Sequence, residues 1–134
     1  SARWSGNALP GVRFAAAVAF YPGCFNIRPP SVASYEIVQP DIDRPLLVMM
    51  GQLDTETPAA ECVAKLGAAK AAGAPIEWHV YPQATHCWDC RNLDGRSKTD
   101  VRGNKVTYLY SMEDTADSRQ KMFQFLDRTM VSRP

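Results

Sequence analysis

Residues 45–58, PLLVMMGQLDTETP, decide the architecture. From Leu46 to Met50 the chain is apolar without interruption and then stops at Gly51, which is the length and composition of a strand covered on both faces in a parallel sheet. A helix follows at once. Thr57 reads as its N-cap, Pro58 suits the first helical position, and Cys62, Leu66 and Ala69 fall on one face until Gly73 stops the run. Asp54 stands between the two elements, just past the carboxyl end of the strand.

Working outward, the pattern repeats on both sides. Upstream, Phe14 to Phe20 is a second apolar run, ended by Tyr21-Pro22-Gly23, and residues 24–44 form a proline-rich connection with Pro29, Pro30 and Pro40. Downstream, Ile76 to Tyr81 predicts a third strand, with Ile76, Trp78 and Val80 on one side and Glu77, His79 and Tyr81 on the other. That alternation places it nearer the sheet edge. Residues 83–112 are polar and irregular, with Gly103-Asn104 turning a small hairpin between Val101 and Lys105 to Tyr110. Met122, Phe125, Leu126 and Met130 mark one face of a last helix from about residue 113 to 130. Residues 1–13 mix Trp4, Gly6, Pro10 and Gly11 without periodicity and read as the tail of a helix and a loop. The whole is an alternating α/β pattern, a mainly parallel sheet with flanking helices and right-handed connections. In such sheets the functional crevice lies at the carboxyl ends of the strands, where Tyr21 to Cys24, Asp54 and His86 all fall.

Bulk properties narrow the function. At 134 residues and 46% hydrophobic content the chain has the make-up of one globular domain. Its 15 basic and 14 acidic residues are interspersed and leave a net charge of +1, which argues against nucleic acid and anionic membranes as partners. No apolar stretch approaches the roughly 20 residues of a membrane span, and the opening SARWSGNALPG lacks the apolar core of a signal peptide. Cys24, Cys62, Cys87 and Cys90 are an even number in a small domain, as expected of a periplasmic or secreted protein rather than a cytoplasmic one. The plainer alternative keeps Cys24 and Cys62 as small buried hydrophobes.

Four segments, AAAVAFYPGC (15–24), RPLLVMMGQLDTETPAAEC (44–62), IEWHVYPQATHCW (76–88) and FQFLDRTM (123–130), resemble the C-terminal half of dienelactone hydrolase family proteins. The resemblance implies the C-terminal portion of an alpha/beta hydrolase fold. It places the triad acid of a G-x-x-D-x-x-x-P segment at Asp54, with Gly51 and Pro58, and the triad histidine of a Y-P-x-x-x-H segment at His86, after Tyr81-Pro82. Singly, Asp54 would be read as a turn residue and His86 as a surface residue; order and spacing together favour the triad. Glu56 is the runner-up acid, with stabilisation of the helix N-terminus as its simpler role. In this fold the order along the chain is nucleophile, acid, histidine. No Ser or Cys with small residues on both sides occurs here as a nucleophile elbow.

Residues 1–134 therefore read as a single-domain fragment carrying the acid and histidine half. The nucleophile is expected roughly 40 to 60 residues before Asp54, in an upstream segment. Its partners would be a small ester or lactone and that N-terminal half, or a second copy covering the apolar edge of the Phe14 to Phe20 strand. The chain alone is expected to be inactive, and no metal or cofactor is implied. Tyr21 and Trp88 are the candidate pocket walls, with Trp78 and His79 structural. Cys24 and Cys62 would lie near the same sheet end and, given the even cysteine count, are expected to form a disulfide; YPGC with TPAAEC resembles an exported branch of the family.

Two rival readings are a non-catalytic hydrolase-like interaction domain and a thiol redox or zinc module at Cys87 and Cys90. His79, His86, Cys87 and Cys90 are the right ligand types for zinc, but there is one C-x-x-C without a second ligand pair. The redox reading lacks the usual placement where a strand meets a helix N-terminus. A short-loop disulfide or two free thiols fits the loop better.

Overall fold

A computed structural model describes residues 14–28, 30, 31, 33, 35, 36, 38 and 41–130; the expected helix tail and loop of residues 1–13 lie outside them. The first strand, β1 (Ala17–Phe20), begins three residues later than its apolar run. Its ladder starts where Ala17 N–H donates to Pro45 O and Ala17 faces Leu46, so Phe14, ahead of that register, pairs with no strand among the described residues and is exposed. Within the proline-rich connection β2 (Asn26–Ile27) and β3 (Tyr35–Glu36) make a short antiparallel pair.

The sheet is completed by β4 (Leu46–Gly51) and, after helix α1 (Ala59–Ala71), by β5 (Ile76–Tyr81). The order is β1-β4-β5, all parallel. The uninterrupted apolar strand β4 is the central one, and the alternating β5 is at an edge of these three, as its pattern required. Successive β4 side chains go to opposite faces. Val48 and Met50 pack with Ala59, Cys62, Leu66 and Ala69 of α1, and Trp78 and Val80 lie against the same cluster. Leu47 and Met49 pack with Tyr81, Ala84, Trp88 and Phe125. Phe125 belongs to the last helix, so the sheet is sandwiched between two helices.

Three sequence expectations are corrected. Helix α1 starts at Ala59 with Pro58 as its N-cap and no side-chain cap, because the Thr57 hydroxyl is engaged elsewhere, as described below. The hairpin strands are β6 (Ser97–Thr99) and β7 (Lys105–Thr107), and Val101 is fully exposed in the turn. Asp100 makes that turn: its Oδ1 accepts from the backbone N–H of Arg102 at 2.9 Å and of Asn104 at 2.8 Å. In α2 (Met112–Met130) Phe125 is buried with Met122 and Leu126 beside it, but Met130 is exposed. Five residues past Phe125 it has turned ~140° around the helix, off the packed face. No helix among the described residues is long and apolar enough to cross a membrane.

Cys24 and Cys62 form a disulfide with a Cα separation of 4.9 Å, and both are buried between the end of β1 and the first turns of α1. The bond spans 38 residues. Constraining an unfolded chain over such a loop is worth about 3–4 kcal/mol, so the Cys24→Ala, Cys62→Ala double variant is expected to lose stability by that amount. Urea unfolding under oxidising conditions checks it, and an unchanged midpoint would show that native-state strain cancels the constraint.

Candidate active site

The ends of β4 and β5 are stitched together before either candidate residue is reached. Gln52 N–H donates to Tyr81 O at 2.9 Å and Leu53 N–H to Ala84 O at 3.0 Å. Gly51 makes this possible, since a Cβ there would lie 2.4 Å from the Ala84 carbonyl oxygen. The two connections therefore run in backbone contact, and Asp54 and His86 emerge side by side.

Asp54 has a carboxylate with 0% side-chain exposure and a full set of donors. Its Oδ1 accepts from Glu56 N–H and Thr57 N–H, both at 2.8 Å; its Oδ2 lies 2.8 Å from the Thr57 hydroxyl and 2.8 Å from His86 Nδ1. A carboxylate can only accept, so Nδ1 carries a proton, and whenever the ring is neutral its lone pair is on Nε2. Thr57 ties in the third strand end: its Oγ1 is also 2.9 Å from Tyr21 O and 3.1 Å from His86 Nδ1. The hydroxyl expected to cap α1 is thus spent on the acid and histidine.

Tyr21 follows β1 with a φ of 39°, an uncommon conformation for a residue with a side chain. Its ring lies 4.6 Å from the His86 ring, and its hydroxyl donates to Asp89 Oδ1 at 3.1 Å. Burial, and then the Asp89 carboxylate, push its pKa up to about 12, so it is a neutral donor across the physiological range. Tyr21, a candidate pocket wall in the sequence, thus stands beside the histidine. Trp88 is different and corrects the sequence reading: it is 0% exposed, packed against Tyr21, Tyr81 and Phe20, with its indole N–H on Ser118 Oγ at 3.3 Å. It is an anchor in the core. Its carbonyl accepts from Ser111 N–H and the Thr115 hydroxyl, pinning the histidine loop to the start of α2.

Cys87 and Cys90 are bonded to each other across this loop. Together with Asp89 their ligand atoms lie within 4.8 Å of one another, yet zinc needs thiolates, and both sulfurs are engaged. The other two residues of the zinc reading are also committed. His86 Nδ1 faces Asp54, and His79 meets Tyr81 edge to face with ring centroids 4.4 Å apart, its pKa lowered by burial first and by the Lys121 charge second.

Glu56 is not simply a helix N-terminal charge. Its Oε2 is 3.6 Å from His86 Nε2 and accepts from the Tyr108 hydroxyl at 3.1 Å, and its Oε1 accepts from Lys98 Nζ at 2.6 Å. That carboxylate holds the Lys98 pKa above the usual lysine range. Thr57, Lys98 and Tyr108 escaped sequence reasoning. Thr57 carried a better-known local signal, and the other two sit in a polar stretch where only the hairpin pairing brings them to the site.

The dienelactone hydrolase family model matches residues 6–130. Among solved structures, a candidate dienelactone hydrolase from Klebsiella pneumoniae subsp. pneumoniae matches with a TM-score of 0.62 and 24% identity, over 84% of this chain and 41% of its own. MGS-M1, an alpha/beta hydrolase enzyme from a Medee basin deep-sea metagenome library, matches with a TM-score of 0.54 and 18% identity, over 87% of this chain and 45% of its own. The chain thus spans less than half the length of either structure, and no curated protein matches it. These likenesses give the fold, part of an alpha/beta hydrolase. With the family model aligned from the sixth residue to the last turn of α2, the chain belongs to the dienelactone hydrolase family.

Proposed function

We propose that the protein containing this chain hydrolyses carboxylic esters or lactones with a nucleophile, histidine and acid triad of which Asp54 and His86 are the last two members. The observation that carries this reading is the 2.8 Å approach of His86 Nδ1 to a fully buried carboxylate at the carboxyl edge of a parallel sheet. His86 Nε2 takes the proton of a Ser or Cys nucleophile as that atom attacks the acyl carbon, then returns it to the departing alkoxide. It next takes a proton from the water that attacks the acyl intermediate and gives it back to the nucleophile as the acid leaves. Throughout, Asp54 holds the ring in the Nδ1–H tautomer and stabilises the imidazolium. The attacking atom and the oxyanion-hole donors come from an upstream segment.

The substrate is a small ester or lactone seated beside Tyr21, and the upstream half covers the edge of β1 that no described strand pairs, unless a second copy does so. Two disulfides support a protein that matures in the periplasm or outside the cell. Complementation tests the whole reading. The isolated chain is expected to turn over an aryl ester no faster than buffer, and the chain joined to its upstream segment to do so at an enzymatic rate. Turnover by the isolated chain that survives His86→Ala would defeat the mechanism. A joined protein that folds but is inactive on esters and lactones would favour an interaction domain.

A further inference from the structure

Asp54 accounts for one nitrogen of His86, and the other also faces a carboxylate. Glu56 Oε2 lies 3.6 Å from Nε2, too long for a good hydrogen bond but close enough for a strong charge interaction. Glu56 is not placed there by its own loop alone. The β6–β7 hairpin reaches over to hold it, Lys98 on Oε1 and Tyr108 on Oε2. Lys98 is 47% exposed and Glu56 22%, so the pair is half screened. A carboxylate fixed at Nε2 has little to offer a neutral imidazole that must present a lone pair there. It has much to offer the imidazolium that exists once the nucleophile has given up its proton.

We propose that Glu56 is a second positioning carboxylate for His86, stabilising the protonated ring from the Nε2 side, and that Lys98 on the hairpin attenuates it. The inference rests on the reading of His86 as the base. Among the described residues, the groups facing His86 are Asp54, Glu56 and Thr57 from the connection after β4, neutral Tyr21 after β1, and Tyr108 after β7, whose ring is 6.1 Å away. Asp89 acts on it through Tyr21, and Lys98 through Glu56. Glu56 and Lys98 are therefore a matched pair of opposite charges with opposite expected effects on the same ring.

That opposition is the test. The chain has two histidines, so ring resonances can be followed with His79 as an internal control. Glu56→Gln, nearly isosteric, is expected to lower the pH at which the His86 signals move by about one unit, the lower end of the effect of an opposite charge within 4–6 Å. Lys98→Met is expected to raise it by about half a unit, since the carboxylate is left uncompensated. His79 should be unmoved in both. In the intact hydrolase the acid limb of kcat/KM is expected to shift in the same two directions. Shifts of the same sign in both variants, or a His86 midpoint indifferent to both, would overturn the proposal. Opposite shifts in a protein whose hydrolysis ignores His86→Ala would leave this pairing standing and sink the triad instead.

Discussion

If the proposed triad operates, replacing His86 with alanine in the intact protein is expected to lower kcat on an aryl ester by about 10⁴-fold or more, and Asp54→Asn to cost a comparable factor. The asparagine is the more instructive. Asp54 Oδ1 accepts two backbone N–H groups, from Glu56 and Thr57, so the amide oxygen of an asparagine must take that place. Its NH2 group then stands where Oδ2 was, 2.8 Å from His86 Nδ1, and donates to it. The ring is forced into the Nε2–H tautomer, with no lone pair for the nucleophile's proton. Steady-state kinetics beside a circular-dichroism melt separates this from unfolding. Activity within tenfold of the parent, in a folded Asp54→Asn variant, would remove Asp54 from the triad.

Gly51→Ala is expected to destabilise the chain by about 3 kcal/mol, at the upper end of what overpacking costs. The added Cβ would meet the Ala84 carbonyl oxygen at 2.4 Å, the Ala84 carbonyl carbon at 2.8 Å and the Thr85 carbonyl oxygen at 3.1 Å. All three are backbone atoms. They can retreat only if the connections after β4 and β5 part, which breaks the Leu53 to Ala84 hydrogen bond and separates Asp54 from His86. Gly67, inside α1, supplies the control because nothing lies within 4 Å of a Cβ there. Gly67→Ala should stabilise by up to about 1 kcal/mol through helix propensity. Urea midpoints of the two variants moving together would contradict the steric account.

The sheet was legible because a parallel strand buried on both faces needs apolar side chains at every position, and Leu46 to Met50 has nothing else. The meeting of Asp54 with His86 was legible because both stand just past strand ends of one parallel sheet, and the spacing to Pro58 and from Tyr81-Pro82 added a family likeness. Thr57 was misread for a physical reason. A threonine before Pro58 satisfies every local rule for a helix cap, and only the approach of two other strand ends offers its hydroxyl a buried carboxylate. Trp88 was misread because proximity in sequence to His86 says nothing about which way a loop side chain turns, and this one turns into the core. Lys98 and Tyr108 reach Glu56 only through contacts made 42 and 52 residues apart in sequence, which no local pattern encodes.

The Cys24–Cys62 bond has a bearing on the route by which the chain reaches this structure. Ala17 pairs with Leu46 and Leu46 with Ile76, so every pairing in the main sheet joins residues about thirty positions apart, and loop closure comes before any reward. Among the described residues only the small β2–β3 and β6–β7 pairs are local. The disulfide closes a covalent ring that contains the whole of β4 and the start of α1, leaving a shorter search for the central strand. Oxidation before docking thus guides assembly, whereas oxidation afterwards only locks it, and the folding rate depends on which comes first.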